Sequence, residues 1–140
     1  MIYKVIDLFA GPGGLGEGFA SLNGGKTFSI SVSVEMESSA HKTLSLRSFF
    51  RDARLKDDSK ALSAYYSFCN SATAKHPREL LTATWAAATN DARKLTLGNS
   101  DDNAELDQII KEKDLKEEET VLIGGPPCQA YSLVGRSRNM

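Results

Sequence analysis

Several features are scarce in this chain of 140 residues, and each scarcity excludes something. Only two cysteines occur, Cys69 and Cys128, far apart in a chain large enough to bury a core without staples, which argues for reduced thiols rather than a disulfide framework. No apolar run approaches the roughly 20 residues of a membrane helix. The opening MIYKVIDLF lacks a basic region followed by an apolar stretch and a cleavage site, so the reading is a cytoplasmic protein without a membrane partner. Positive charge is not in excess either: 17 Lys and Arg face 18 Asp and Glu, a net charge of −1. Free-standing nucleic-acid modules are plainly basic, so charge by itself does not point to DNA, and phosphate contacts would have to come from elsewhere. What is present, 41% hydrophobic and 25% charged residues, is ordinary globular composition, which leaves one domain over 1–140 as the default.

The chain alternates strand and helix signals. Ile2 to Phe9 is apolar and β-branched and breaks at Gly11, Gly13 and Gly14, a strand entering a tight turn. Leu15, Phe19 and Leu22 then mark one face of a short helix that Asn23-Gly24-Gly25 ends. Phe28, Ile30, Val32 and Val34 alternate with serines, a second strand with one bulky and one small face. Ser38 or Ser39 can cap a helix through about Phe50. Residues 51–95 are Ala-rich and charged without strand signals and read as an inserted helical segment. Leu62, Tyr65, Tyr66 and Cys69 share one helix face there, and a longer stripe runs from Leu81 through Trp85, Ala88 and Ala92 to Leu95. On this reading Cys69 is a small buried hydrophobe and Trp85 is packing. Asp102 and Glu105 resemble a capping box for a helix through Ile110, and Thr120 to Ile123 reads as a strand buried on both faces. The fold class that follows is α/β, a parallel sheet with helices on both faces.

Gly11, Gly13 and Gly16 stand in the spacing G-x-G-x-x-G between strand and helix, where backbone can approach a ligand closely and a helix start offers free amides. Glu35, at the end of the second strand, is placed to accept from two ribose hydroxyls of a nucleoside cofactor. A plain tight turn with a solvated acid reads equally well from these residues alone. A dinucleotide site fits less well, because Asp7 and Phe9 lie where a pyrophosphate would sit. A sulfonium cofactor bearing an ammonium and an adenosine would instead gain from Asp7, from Phe9 on the adenine and from Met36 on its other side.

The segment GGPPCQAYS, residues 124–132, follows the last strand, so Cys128 stands where ligands meet the carboxyl ends of strands in open α/β sheets, with Pro126 and Pro127 stiffening the approach. DLFAGPGG, then VEM at 34–36, then GGPPCQAYS together resemble the DNA cytosine-5 methyltransferases. The proline-cysteine-glutamine loop is highly specific and the glycine loop moderately so. The resemblance implies a three-layer Rossmann-like S-adenosylmethionine-dependent methyltransferase fold. It also implies that Cys128 attacks carbon 6 of a flipped cytosine so that carbon 5 can take the methyl group. By the same likeness Phe9, Gly11, Pro12, Gly13, Gly14 and Pro127 line the cofactor, with S-adenosylhomocysteine as product and no metal. Glu35 then holds the ribose, Met36 sits beside adenine, and Gln129, Ser132 and Arg136 face DNA, with Arg138 a further phosphate contact.

The chain departs from the family in several places. Tyr131 stands where Phe is usual and Ala130 where Gly is frequent. The family's Gly-Asp pair at the adenine amino group has its nearest match in Gly98-Asn99, with Asn99 replacing the acid. The segment between Glu35 and Cys128 is longer than in compact members, with residues 51–95 as the excess. The chain reaches only Met140, and the family's later Glu-Asn-Val and Gln-x-Arg segments, target-recognition domain and final helix have no counterpart. The expectation is that these residues alone do not methylate DNA. Double-stranded DNA would be engaged through a full-length bacterial enzyme, or with the missing carboxyl-terminal half as a separate chain. A nucleotide-binding oxidoreductase is the alternative, carried by the glycine spacing alone. His41 and His76 lack partners at metal-ligand spacing and read as surface residues.

Overall fold

In the computed structural model, which describes residues 1–128, the strands are β1 (Tyr3–Leu8), β2 (Phe28–Val34), β3 (Ala92–Arg93) and β4 (Thr120–Gly124). They form one parallel sheet in the order β3-β2-β1-β4. A register shift between Val5 and Ile6 skips Ser31, so Ile6 pairs with Val32 and Leu8 with Val34. These four side chains share one face, and the helix α6 (Ser100–Glu112) covers it with Leu106 and Ile109, closing a core with Leu95. On the other face Asp7, Ser31 and Ser33 are buried. The small serines let α1 (Gly14–Ser21) and α2 (Ser38–Leu55) approach the backbone closely. Three layers result, as the alternating pattern requires.

From the start of α2 onward the structure departs most from the sequence reading. The helix begins at Glu37, whose carboxylate accepts from the backbone N–H groups of Ser39 and Ala40 at 2.9 and 2.6 Å, so neither Ser38 nor Ser39 is the cap. A carboxylate at a helix start satisfies orphan amides and meets the positive dipole end, and those two bonds hold the Glu37 pKa below its usual range. The helix runs on to Leu55, past Phe50. A second cluster follows around Phe49, Ala53, Ala61 and Ala88, built with α3 (Ser59–Asn70), α4 (Pro77–Leu80) and α5 (Thr82–Ala88). Trp85 packs on Phe49 with ring centroids 5.2 Å apart.

The single stripe expected from Leu81 to Leu95 is broken. The backbone at Leu81, φ −133 and ψ 58, ends the first short helix, and Ala92–Arg93 leave the helical path altogether to join the sheet as β3. The free backbone groups of β2 decide this. Ser33 N–H donates to the Asp91 carbonyl at 2.7 Å and Glu35 N–H to that of Arg93 at 3.0 Å, and unpaired edge amides would cost more than an alanine's helix preference returns.

Three single-residue readings also change. Cys69 is exposed rather than buried. His41 is half-buried, its Nε2 3.0 Å from the Ala92 carbonyl. His76 caps α4, its Nδ1 accepting from Arg78 N–H at 3.1 Å, and its ring lies edge-on to Phe68 and Trp85. Burial, helped by the nearby Arg78 charge and opposed by Glu79, pushes the His76 pKa below its usual value. Neither ring is a surface histidine.

Candidate functional site

Because the sheet is parallel, the residues that follow β1, β2, β3 and β4 all emerge at its carboxyl edge. β1 ends in Phe9, held at φ +55, a conformation that a bulky residue keeps only when its surroundings impose it. Ala10 N–H donates to the Val34 carbonyl at 2.9 Å, which pins the turn to β2, and the ring of Phe9 stays 37% exposed. Beside it a shallow cleft is lined by Phe9, Val34, Glu35, Met36, Leu95 and Leu97. Met36 is 60% exposed at its mouth.

Glu35 ties the cleft together. One carboxylate oxygen accepts from Gly11 N–H at 2.7 Å and the other from Glu37 N–H at 2.8 Å, so a single side chain joins the glycine loop to the start of α2. Each oxygen keeps a lone pair for a further donor.

The glycines differ in what requires them. Gly13 caps α1 at φ +93, a conformation that favours glycine, and a Cβ there would lie 2.8 Å from the end of the Leu44 side chain, which would have to shift. Gly16 is needed for space alone: a Cβ would meet the Asp7 carboxylate at 2.7 Å. Gly11 and Gly14 face open volume, the room a ligand needs to reach backbone.

Asp7 does not line this cleft. It is 1% exposed beneath α1, with both carboxylate oxygens lacking a hydrogen-bond partner. Burial raises its pKa above the usual carboxylate range, opposed only in part by the nearby Gly16 backbone. Asn99 is also placed elsewhere than expected. It caps α6, with Oδ1 accepting from Asp101 and Asp102 N–H at 3.0 and 3.2 Å, which leaves no lone pair for an adenine amino group. The expected capping acid Asp102 instead accepts from Thr96 N–H at 2.7 Å. Pro12, Pro127 and Cys128 are exposed, Cys128 four residues beyond the point where Gly124 pairs with Leu8. Gly124 crosses so close that a Cβ would lie 2.2 Å from the Leu8 carbonyl oxygen. Gln129, Ser132, Arg136 and Arg138 lie outside the described residues.

Comparison with known proteins bears on what this edge is for. The chain is similar to a methyltransferase. It is 33% identical over 151 aligned positions to a Type II methyltransferase of Bacillus paralicheniformis, an alignment that takes in 96% of this chain and 32% of that protein. The chain thus spans about a third of the length of the curated relative it matches. No family model and no solved structure matches it. The parallel α/β sheet is compatible with a Rossmann-like methyltransferase fold. Among the described residues no helix is long and apolar enough to cross a membrane, and no group of three His, Cys, Asp or Glu could hold a metal ion.

Sequence reasoning missed Leu95 and Leu97 as walls of the cleft. The signal lay in the apolar pair following Ala92–Arg93, obscured by assigning that stretch to a helix.

Proposed function

We propose that this chain is the cofactor-binding and nucleophile-bearing part of a DNA cytosine-5 methyltransferase. The observation that carries the reading is positional: the glycine loop, the acid Glu35 and the thiol of Cys128 follow β1, β2 and β4, which lie side by side, and so leave one sheet edge together. The similarity to a Type II methyltransferase supports methyl transfer, and the motif around Cys128 supports the cytosine-5 chemistry.

The cleft suits an adenosine. Phe9 and Met36 offer an aromatic face and a polarizable thioether, Leu95 and Leu97 an apolar wall, and Glu35 two acceptors for ribose hydroxyls. Gly11 and Gly14 leave backbone accessible to the remainder of S-adenosylmethionine. When bound, that cofactor supplies an electrophilic methyl group. Cys128 as thiolate adds to carbon 6 of a flipped cytosine, forming a carbon–sulfur bond as the 5,6 double bond opens and carbon 5 becomes nucleophilic. After methylation, loss of the carbon 5 proton expels the thiolate and restores the ring. Activating cytosine also requires a proton donor at the ring nitrogen, so we place the complete reaction in an assembly larger than these 140 residues, with double-stranded DNA as its partner.

The first test is titration calorimetry of the chain with S-adenosylhomocysteine and with NAD. Binding of the former, lost in Glu35→Ala, is expected; binding of NAD alone would select the oxidoreductase. The second uses a protein extended to the relative's full length and a duplex carrying 5-fluorocytosine, which traps the adduct. A covalent complex with wild type and none with Cys128→Ser is expected, and an adduct that survives Cys128→Ser would end the assignment.

A further inference from the structure

We infer that Arg51 is the positioning residue that keeps the glycine loop in register with the opposite wall of the cofactor cleft, an inference that rests on the reading of that cleft given above. Three segments line the cleft: Phe9 after β1, the end of β2 with Glu35 and Met36 leading into α2, and Leu95 and Leu97 after β3. They are joined at two levels. At the upper level Ala10 of the loop after β1, Leu44 of α2 and Ala92 of β3 form a small apolar cluster. At the lower level Glu17 of α1, Arg51 of α2 and Asp91 just before β3 are joined by charge: Arg51 pairs with Glu17 through one terminal nitrogen and with Asp91 through the other at 2.6 Å. Leu44 and Arg51 are two turns apart on one face of α2, roughly 10.5 Å along its axis. Ser48, one turn before Arg51, receives its N–H at 3.2 Å and lies 2.7 Å from the Ala88 carbonyl, extending the tie to the end of α5.

Apolar packing does not supply this lower junction. The only buried residues of α1 are Gly16 and Ala20, too small to interlock with α2. Two cavities, of about 250 and 360 Å³, both border Arg51. With open space on either side and no buried side chain of α1 larger than alanine facing α2, the guanidinium is the strut that sets α1 against α2, while Phe19 on Phe28 ties α1 to β2. The side chains of Arg51, Glu17 and Asp91 are 16%, 28% and 16% exposed, so water screens the pairs weakly. A planar fork can hold two carboxylates at once, which a lysine ammonium on a single flexible stem does far less well. Without Arg51, α1 pivots about the upper apolar contact, and the amides of the glycine loop lose their alignment with Glu35, Leu95 and Leu97.

The test compares Arg51→Met, Arg51→Lys and, as a control in the neighbouring cluster, Phe49→Leu in this chain. Titration of S-adenosylhomocysteine is expected to show Kd raised about tenfold in Arg51→Met, less in Arg51→Lys, and within about twofold in Phe49→Leu despite a lower melting temperature. Amide hydrogen exchange at residues 11–17 and 93–97 should quicken by about tenfold in Arg51→Met and not in Phe49→Leu. If Arg51→Met does not fold, Arg51→Lys carries the comparison. Exchange that quickens in Arg51→Met while the unsubstituted chain fails to bind S-adenosylhomocysteine sinks the cleft reading and leaves the positioning role standing. Exchange and Kd unchanged in the Arg51 variants, or changed equally by Phe49→Leu, would show an ion pair that serves the fold alone and would overturn the inference.

Discussion

The centre and the edge of the sheet look alike in sequence and differ in environment. Val5, Val32 and Val34, in β1 and β2, are buried completely or nearly so. The run Val121-Leu122-Ile123 in β4, just as apolar and expected to be buried on both faces, is half-exposed, with Leu122 65% open to solvent. In register with Ile6, Leu122 points to the same face, beyond the reach of α6, whose buried contacts are with Ile6, Val32 and Val34. An apolar run therefore reports the capacity to be buried; neighbours on both sides and both faces decide whether it is.

That contrast can be broken or sharpened by substitution. The largest effect is expected away from the sheet: Phe49→Ala empties the helical cluster and should cost about 3–5 kcal/mol in urea unfolding, with a matching fall in midpoint. Val32→Ala, at the sheet centre, should cost about 2 kcal/mol by the same measurement. Gly16→Ala forces a methyl against the Asp7 carboxylate at 2.7 Å, and a loss of roughly 1–3 kcal/mol is expected.

Asp7→Asn acts through pH. The folded-state pKa of Asp7 is raised, so above its ordinary value of 3.8 the folded chain holds the proton more tightly than the unfolded one. The contribution of Asp7 to stability is thus complete at lower pH and lost as pH rises through the folded-state pKa. Melting curves across that window should show Asp7→Asn flattening the decline and raising the melting temperature near neutrality. The smallest effect belongs to the edge: Leu122→Ala should change stability by less than about 0.5 kcal/mol. A cost equal to that of Val32→Ala would mean that β4 is covered in solution and the contrast is false.

Much of the site could be read from residue order. A strand, a glycine turn, an alternating strand and an acid are local patterns, each fixed by backbone geometry over fewer than ten residues, and β1, α1, β2 and Glu35 stand where those patterns put them. Caps proved harder. Glu37 and Asn99 each took a role assigned to residues nearby, because serine, asparagine and acids compete for the same orphan amides and only the path of the incoming chain selects among them. The burial of Asp7 was invisible too, since it depends on how closely Gly16 lets α1 settle on β1.

The sequence by itself determined which segments are strands entering glycine turns, where the thiol and the acid stand relative to them, and that the sheet is parallel, because those follow from side-chain period and from crossovers too long for hairpins. Tertiary structure alone decided that Ala92–Arg93 leave the helical layer for the sheet, that the chain after them walls the cleft, and that Arg51 bridges Glu17 and Asp91. Each of those turns on hydrogen-bond or charge partners 34 to 58 residues apart, Glu17 with Arg51 at one extreme and Ser33 with Asp91 at the other, and no local pattern encodes a partner at that range.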